Sequence, residues 1–244
     1  MTNVRLVVGL AVPILVAGAV VAGAPSCGLI SSDITSVKFN LPSRTYDFST
    51  TQAGLNLPAA ALPSVPCSAT DDCCGLVSLL VPGIDCSPII CDAPSSTCGL
   101  TATIESPPQT VDLKSQAPEL QGYSNQSVLD VTISQITYTI PLNTLNVDLP
   151  PIQLFVAPNG TTSASDPAAK KFGTVPAIAA GSTAAGKVTL DPAGQDAFVG
   201  FAHNFGTPFV FLASTTVVAA GGTPVPMGAI RLTVTGQLKA KPSF

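Results

Sequence analysis

The spacing of apolar residues along the chain predicts a mainly β protein. The longest strand signal covers residues 128–140, where apolar and polar residues alternate. Its apolar positions are Leu129, Val131 and Ile133, followed by Ile136, Tyr138 and Ile140. The alternation shifts by one position at Ser134 and Gln135, which predicts a β-bulge within one continuing strand.

Further strands are predicted on both sides of this segment. Before it, two short strands flank a bend at Pro42, and two more flank Pro107. Their ranges are 36–41, 44–48, 100–104 and 110–113. After it, residues 145–149 and 152–156 keep the alternation, so three successive strands are expected to form an antiparallel meander.

One helix is predicted in the last third of the chain. Asp191 is a typical N-cap residue, Pro192 suits the first helical position, and Gly206 is expected to end the helix in the left-handed conformation. An apolar face at helical spacing is expected to pack on the sheet; it comprises Ala197, Phe198, Phe201, Ala202 and Phe205. Residues 161–186 lack periodicity and are expected to form a long mobile loop, with at most one short strand near Val175.

The chain is predicted to end in a β-hairpin. Residues 209–219 form its first strand, residues 221–224 its turn and residues 230–239 its second strand. One side of the second strand is polar and faces water; it carries Arg231, Thr233, Thr235, Gln237 and Lys239. The patterns together predict an antiparallel β-sandwich or partly open barrel of about eight to ten strands, with one packed helix and a disulfide-rich insert.

The insert is a cysteine-rich segment at residues 67–98. Its cysteines are Cys67, Cys73, Cys74, Cys86, Cys91 and Cys98. In an oxidising compartment, a dense and even set of cysteines forms disulfides. The segment therefore predicts three disulfides, and the sequence leaves their pairing open. Adjacent Cys73 and Cys74 are expected to bond to different partners, because a ring across one peptide bond is strained.

Metal binding is the alternative for this segment. Zinc could use four of the thiolates, but no Cys-x-x-Cys pair is present. Calcium could use the aspartates, but these lack the alternate spacing of a calcium loop; they are Asp71, Asp72, Asp85 and Asp92. We therefore expect no metal site.

The N-terminal residues have the pattern of an export signal. Arg5 is followed by an apolar run over residues 6–24 and then by Cys27. The segment resembles the signal of bacterial lipoproteins, although Ala24 stands where that family usually carries leucine. The resemblance implies cleavage before Cys27, a lipid on its thiol and residence in the cell envelope, facing the periplasm or the exterior. An ordinary cleavable signal and an uncleaved membrane anchor are the alternatives.

Composition and charge narrow the range of functions. Only 10% of the residues are charged and the net charge is -4, so we expect no nucleic-acid partner, which would demand a basic surface. The sequence lacks the usual phosphate-binding, dinucleotide, zinc-protease and serine-hydrolase motifs. The only histidine, His203, is expected to cap the helix or face solvent. Glu105 and Glu119 lie in predicted loops and give no support to a glycosidase pair. We therefore expect no enzymatic activity and no cofactor.

These expectations define four segments and two functional hypotheses. The segments are a signal peptide or anchor (1–26), N-terminal strands (27–66), the cysteine module (67–98) and the main β domain (99–244), with the helix near 192–205. The first hypothesis is a membrane-anchored structural or adhesive envelope protein that binds envelope proteins or polysaccharide. The second is a carrier that holds an apolar or lipid ligand between helix and sheet. Its lining would be Phe198, Phe201, Phe205, Phe209 and Phe211.

Overall fold

The fold is a β-sandwich of two antiparallel sheets, as the sequence predicts. A computed structural model describes residues 36–52, 55, 61–68, 72–80, 88–92, 96–117, 129–204 and 206–242. The strands are β1 (Val37–Ser49), β2 (Ile89–Asp92), β3 (Thr97–Glu105), β4 (Gln109–Val111), β5 (Leu129–Asn143), β6 (Ile152–Pro158), β7 (Lys170–Val175), β8 (Ala184–Lys187), β9 (Thr189–Leu190), β10 (Phe209–Ala219) and β11 (Ala229–Pro242). The helices are α1 (Cys73–Ser78), α2 (Leu113–Gln116) and α3 (Pro192–His203).

The two sheets differ in size and in exposure. The smaller sheet has the order β1, β11, β5, β8, and the larger has β2, β3, β10, β6, β7, β9, with β4 also paired to β10. Strand β11 alternates buried and exposed residues, so one face of the smaller sheet meets the core and the other meets solvent. Strand β10 is buried on both faces from Phe209 to Thr215. Its first five residues, up to Ala213, are continuously apolar, and Ser214 and Thr215 are buried polar residues.

The predicted bulge in β5 is confirmed. Gln237 of β11 pairs with Gln135, but the next residue, Leu238, pairs with Ile133, so Ser134 is the extra residue. The insertion keeps Ile133 and Ile136 facing the core despite the shift in spacing.

A second bulge replaces the bend predicted at Pro42. Leu41 pairs with Gly236 and Arg44 pairs with Val234, so two residues of β1 oppose one residue of β11. The two strands predicted around a turn therefore do not exist as separate strands. Residues 37–48 belong to one strand, because both halves pair with the same neighbour.

The predicted meander and the predicted C-terminal hairpin are both wrong. Strand β5 lies in the smaller sheet, whereas β6 lies between β10 and β7 in the larger one. Residues 144–151 cross between the sheets, and Leu149 makes only an isolated bridge, to Ile178. Likewise β10 is central to the larger sheet and β11 to the smaller. The segment after β5 and the segment after β10 therefore each run from one sheet to the other.

The segment 161–186 is more ordered than a mobile loop. It contains β7, which is the short strand predicted near Val175, and also the start of β8, so it holds more than the one strand expected. The side-chain amide of Asn143 donates to the carbonyl oxygens of Ala179 and Ser182, both at 3.0 Å. The Ala180 amide donates to Asp148 at 2.9 Å. Side chains of neighbouring segments thus fix a stretch that lacks apolar periodicity.

Helix α3 starts as predicted and ends differently. The Asp191 carboxylate accepts the Ala193 amide at 3.1 Å, and Pro192 is the first helical residue. The helix ends at His203, and the Thr207 amide donates to the Asn204 carbonyl at 2.7 Å. Gly206 does not have a positive φ, so the predicted left-handed ending of the helix is wrong. The helix packs against β7 and β6 of the larger sheet and β5 of the smaller.

Candidate functional site

The predicted phenylalanine lining forms an aromatic core cluster. The Phe198 ring of α3 lies 5.4 Å from Phe172, 5.7 Å from Phe209 and 5.9 Å from Phe211, measured between ring centroids. Phe201 stacks on Phe209 at 5.7 Å. These are ordinary aromatic packing distances, and Phe172 joins the cluster from β7. Phe205 lies outside the described residues.

A small cavity lies beside this cluster, between the two sheets. Its volume is about 20 Å³, and its lining includes Phe172 and Phe211 of the larger sheet and Val234 of the smaller. A cavity of this size admits about one water molecule. Sites for drug-sized ligands measure roughly 300–1,000 Å³, so this space does not hold an acyl chain.

Arg44 extends into the lining of that cavity. The bulge in β1 sets Arg44 opposite Val234, and Arg44 lies two residues before buried Tyr46 on the same face of the strand. One terminal nitrogen of the guanidinium donates to the Gln116 side-chain oxygen. The Nε atom is buried and has no hydrogen-bond partner among the described residues. Burial lowers the pKa of Arg44 and raises the pKa of Tyr46, because the interior disfavours charge on either group.

The cysteine module is held by disulfides. Cys67 pairs with Cys91 and Cys73 with Cys98, with Cα atoms 5.9 and 5.4 Å apart. Cys74 is also disulfide-bonded, so adjacent Cys73 and Cys74 have different partners, as predicted. Cys86 lies outside the described residues.

The module is joined directly to the larger sheet. Cys98 is the second residue of β3, whose later residues pair with β10 from Leu100 to Glu105. The module boundary predicted at residue 98 therefore falls within a strand. Asp72, one of the aspartates considered for calcium, caps α1 by accepting the Cys74 amide at 3.1 Å. The sulfur atoms of Cys67, Cys73 and Cys91 lie close together because two disulfides are neighbours.

The outer face of the smaller sheet carries an array of threonines. We call this array the threonine face; its members are Thr45, Thr137, Thr139, Thr233 and Thr235. Thr45, Thr233 and Thr139 lie side by side on β1, β11 and β5, and Thr235 lies opposite Thr137. The Thr137 and Thr235 hydroxyls are 2.8 Å apart, and those of Thr45 and Thr233 are 3.3 Å apart. Hydrogen bonds between neighbouring strands thus hold the hydroxyl groups in place.

Amide side chains extend the threonine face. Asn40, Gln237 and Gln135 lie opposite one another on the three strands. Together with Thr137 and Thr235 they line a groove of about 380 Å³ that is open to solvent. Charged groups lie toward its ends and edge: Arg231 pairs with Asp47 at 2.7 Å, Lys239 lies beyond Gln237, and Lys187 lies opposite Thr137 on β8. The centre of the face is therefore polar and uncharged.

Other residues singled out in the sequence lie apart from this face. His203 is the last residue of α3 and is half-buried. Glu105 accepts the Ser163 hydroxyl at 3.2 Å, while Glu119 lies outside the described residues. The leader and Cys27 also lie outside them. In the part of the chain that the structure describes, none of the helices combines the length and apolar character needed to span a membrane.

Comparison with known proteins places this chain in no family. No family model and no curated protein matches it. Among solved structures, it is similar to a chain of the cryo-EM structure of Mud crab tombus-like virus. The match covers 100% of this chain and 94% of that chain, with 8% sequence identity and a TM-score of 0.28. A similarity at this level carries no argument about fold or function.

Proposed function

We propose that this protein is an exported, membrane-anchored component of the cell envelope with a structural or adhesive role and without enzymatic activity. The observation that supports the proposal is the threonine face, where hydrogen bonds between strands hold the hydroxyl groups and the centre is uncharged. One face of the smaller sheet packs in the core, and the other face is exposed and can contact another macromolecule. The lipoprotein-like leader supports export and anchoring through Cys27.

The partner we propose for the threonine face is a neutral polysaccharide of the envelope. Hydroxyl and amide side chains both donate and accept hydrogen bonds, as do the hydroxyl groups of a sugar chain. The groove beside Thr137 and Thr235 is open to solvent, so a polymer chain can reach its hydroxyl groups. Its uncharged centre gives an anionic or cationic polymer no electrostatic advantage.

Substitution of paired threonines by valine tests this proposal. Thr137→Val with Thr235→Val keeps side-chain shape but removes two hydroxyls, so binding to isolated envelope polysaccharide should fall while the fold persists. The matched control is Thr103→Val with Thr216→Val, which removes an equivalent pair on the larger sheet, where the hydroxyls are 3.2 Å apart. Equal binding by all three proteins, or binding only to envelope proteins, would reject a polysaccharide partner.

A carrier of an apolar ligand is the second proposal. The cavity beside Phe211 is mostly apolar in lining but measures about 20 Å³, so it would have to widen more than tenfold to reach the usual range. Organic extraction of protein purified from its host, followed by mass spectrometry, tests this directly. A stoichiometric lipid in addition to any lipid on Cys27 would support the carrier.

The absence of enzymatic activity is tested with His203. Since His203 is the only histidine, any mechanism that uses imidazole must use this residue. A screen of ester, peptide and glycoside substrates should give no turnover. Activity that His203→Ala abolishes without unfolding the protein would overturn this part of the proposal.

A further inference from the structure

Arg44 is half-buried, and its side chain forms part of the lining of the cavity between the two sheets. Its Nε atom is buried without a hydrogen-bond partner among the described residues, whereas buried polar groups in native proteins are almost always paired. The Gln116 side-chain oxygen accepts a hydrogen bond from another nitrogen of the same guanidinium. The Nε–H group therefore requires an acceptor that the described side chains do not supply.

We propose that the cavity beside Arg44 binds one small inorganic anion of about the size of chloride. The anion would accept hydrogen bonds from the Arg44 Nε–H group and from the hydroxyl group of Tyr46. Both residues line the cavity. This site is independent of the proposed envelope function. It lies on the core side of the smaller sheet, opposite the threonine face, and Leu41 and Gly236 border both the cavity and the groove.

The size and lining of the cavity restrict its occupant. A volume of about 20 Å³ admits one particle the size of water or slightly larger. This excludes sulfate, phosphate and organic carboxylates in the conformation described. The remaining lining is largely apolar and includes Leu154, Phe172, Phe211 and Val234.

The chemistry of the lining favours an anion over water. A buried water molecule usually makes two to four hydrogen bonds and must find acceptors for its own hydrogens. Among the lining side chains, Arg44 offers only donors, and the Tyr46 oxygen is the one acceptor. A monatomic anion accepts from both groups and has no hydrogens to satisfy.

The positive charge of Arg44 also favours an anion over water. Among the described residues, no carboxylate lies within ion-pair distance of Arg44, and Asp47, on the opposite face of β1, pairs with Arg231. A cation that is partly removed from water is costly without a counter-charge. An anion in the cavity would provide that charge within the low-dielectric interior.

Bromide provides a direct test in crystals of the full chain. Crystals grown with bromide in place of chloride should show an anomalous scattering peak within hydrogen-bond distance of Arg44 Nε. Density in the cavity without an anomalous signal would identify water and overturn the proposal. A cavity without density would overturn it as well. This measurement needs no variant, so it holds whether or not a substituted protein folds.

Chlorine-35 NMR line broadening tests the site in solution with matched variants. Wild-type protein should broaden the chloride signal, and bromide should reverse the broadening by competition. Arg44→Gln should weaken binding by about tenfold or more, and Tyr46→Phe by less, since hydrogen bonds to charged groups are the stronger ones. The control is Arg231→Gln, which removes the same charge from an exposed ion pair and should leave the broadening intact. Loss of broadening in Arg231→Gln, or its persistence in Arg44→Gln, would show non-specific binding and reject the site.

Discussion

Gly194 of helix α3 lies directly against the backbone of strand β7, at the carbonyl group of Lys171. A Cβ atom at position 194 would overlap the Lys171 carbonyl and lie 2.5 Å from the Phe172 Cα atom. The missing side chain thus lets the helix approach the strand closely. This approach places Phe198, one helical turn later, among the aromatic rings of β7 and β10.

Two alanine substitutions in the same helix should therefore have opposite effects. Gly194→Ala forces α3 away from β7 and should lower the free energy of unfolding by about 2–3 kcal/mol, as expected for overpacking. Gly200→Ala adds a methyl group where no atom lies within 4 Å, so better helix propensity should raise stability by about 0.5–1 kcal/mol. Urea unfolding of both variants measures these changes. A similar effect of both substitutions would contradict the close approach.

The bulge in β5 shows what the sequence can specify locally. Side chains alternate strictly between the two faces of a strand, so Ile133 and Ile136 can both reach the core only if one residue is inserted. Their spacing alone predicts the extra residue that the structure places at Ser134. Helix α3 was similarly predictable from Asp191 and Pro192, because capping is a local property.

The pairing of β10 and β11 shows what local patterns do not specify. The glycines after β10 are typical of a hairpin turn, yet the two strands belong to different sheets. The sequences of the two strands do differ. The apolar run that begins β10 indicates a strand covered on both faces, while the alternation in β11 indicates a strand with one face in solvent. Choosing a partner strand depends on the closure of the whole core, which no short segment encodes.

The position of Arg44 combines a local and a non-local feature. Arg44 lies two residues before Tyr46 and four before Phe48, both of which are buried. Alternation therefore places Arg44 on the core side of β1. What the sequence could not show is the cavity, which is formed by residues from both sheets.

The disulfides of the module should contribute unequally to stability. Each described pair closes a loop of similar length, with separations of 24 and 25 residues, which gives about 3–4 kcal/mol in the chain-entropy model. Cys73 and Cys98 are also buried, whereas Cys67 and Cys91 are half-buried. Replacing Cys73 and Cys98 by alanine should therefore lower the free energy of unfolding more than replacing Cys67 and Cys91. Urea unfolding measures both changes.

Peptide mapping without reduction provides the independent check on these pairs. It should recover Cys67 linked to Cys91, and Cys73 linked to Cys98, with Cys74 oxidised. A free thiol at Cys74 or a bond between Cys67 and Cys73 would contradict the pairing.

The proposed anchor makes Cys27 the first residue of the mature chain. Intact mass after membrane extraction should show loss of residues 1–26 and the addition of lipid. Cys27→Ser should move the protein out of the membrane fraction without changing the two described disulfides, because these join Cys67 to Cys91 and Cys73 to Cys98. A mature chain that begins at Pro25, or one that retains the leader, would reject lipid anchoring.

Tyr46 should make the fold sensitive to alkaline conditions. Burial raises the pKa of Tyr46, while the unfolded chain releases this proton near pH 10, at roughly the ordinary value. Stability from this group is therefore complete below about pH 10 and is lost as the pH rises toward the pKa of the folded state. The expected slope is at most about 1.4 kcal/mol per pH unit. Urea unfolding between pH 9 and 11 should show this loss for the wild type and a smaller loss for Tyr46→Phe, which carries no ionisable hydroxyl. Parallel curves for the two proteins would show that Tyr46 ionises as easily in the folded state as in the unfolded chain, and so would exclude its burial in the core.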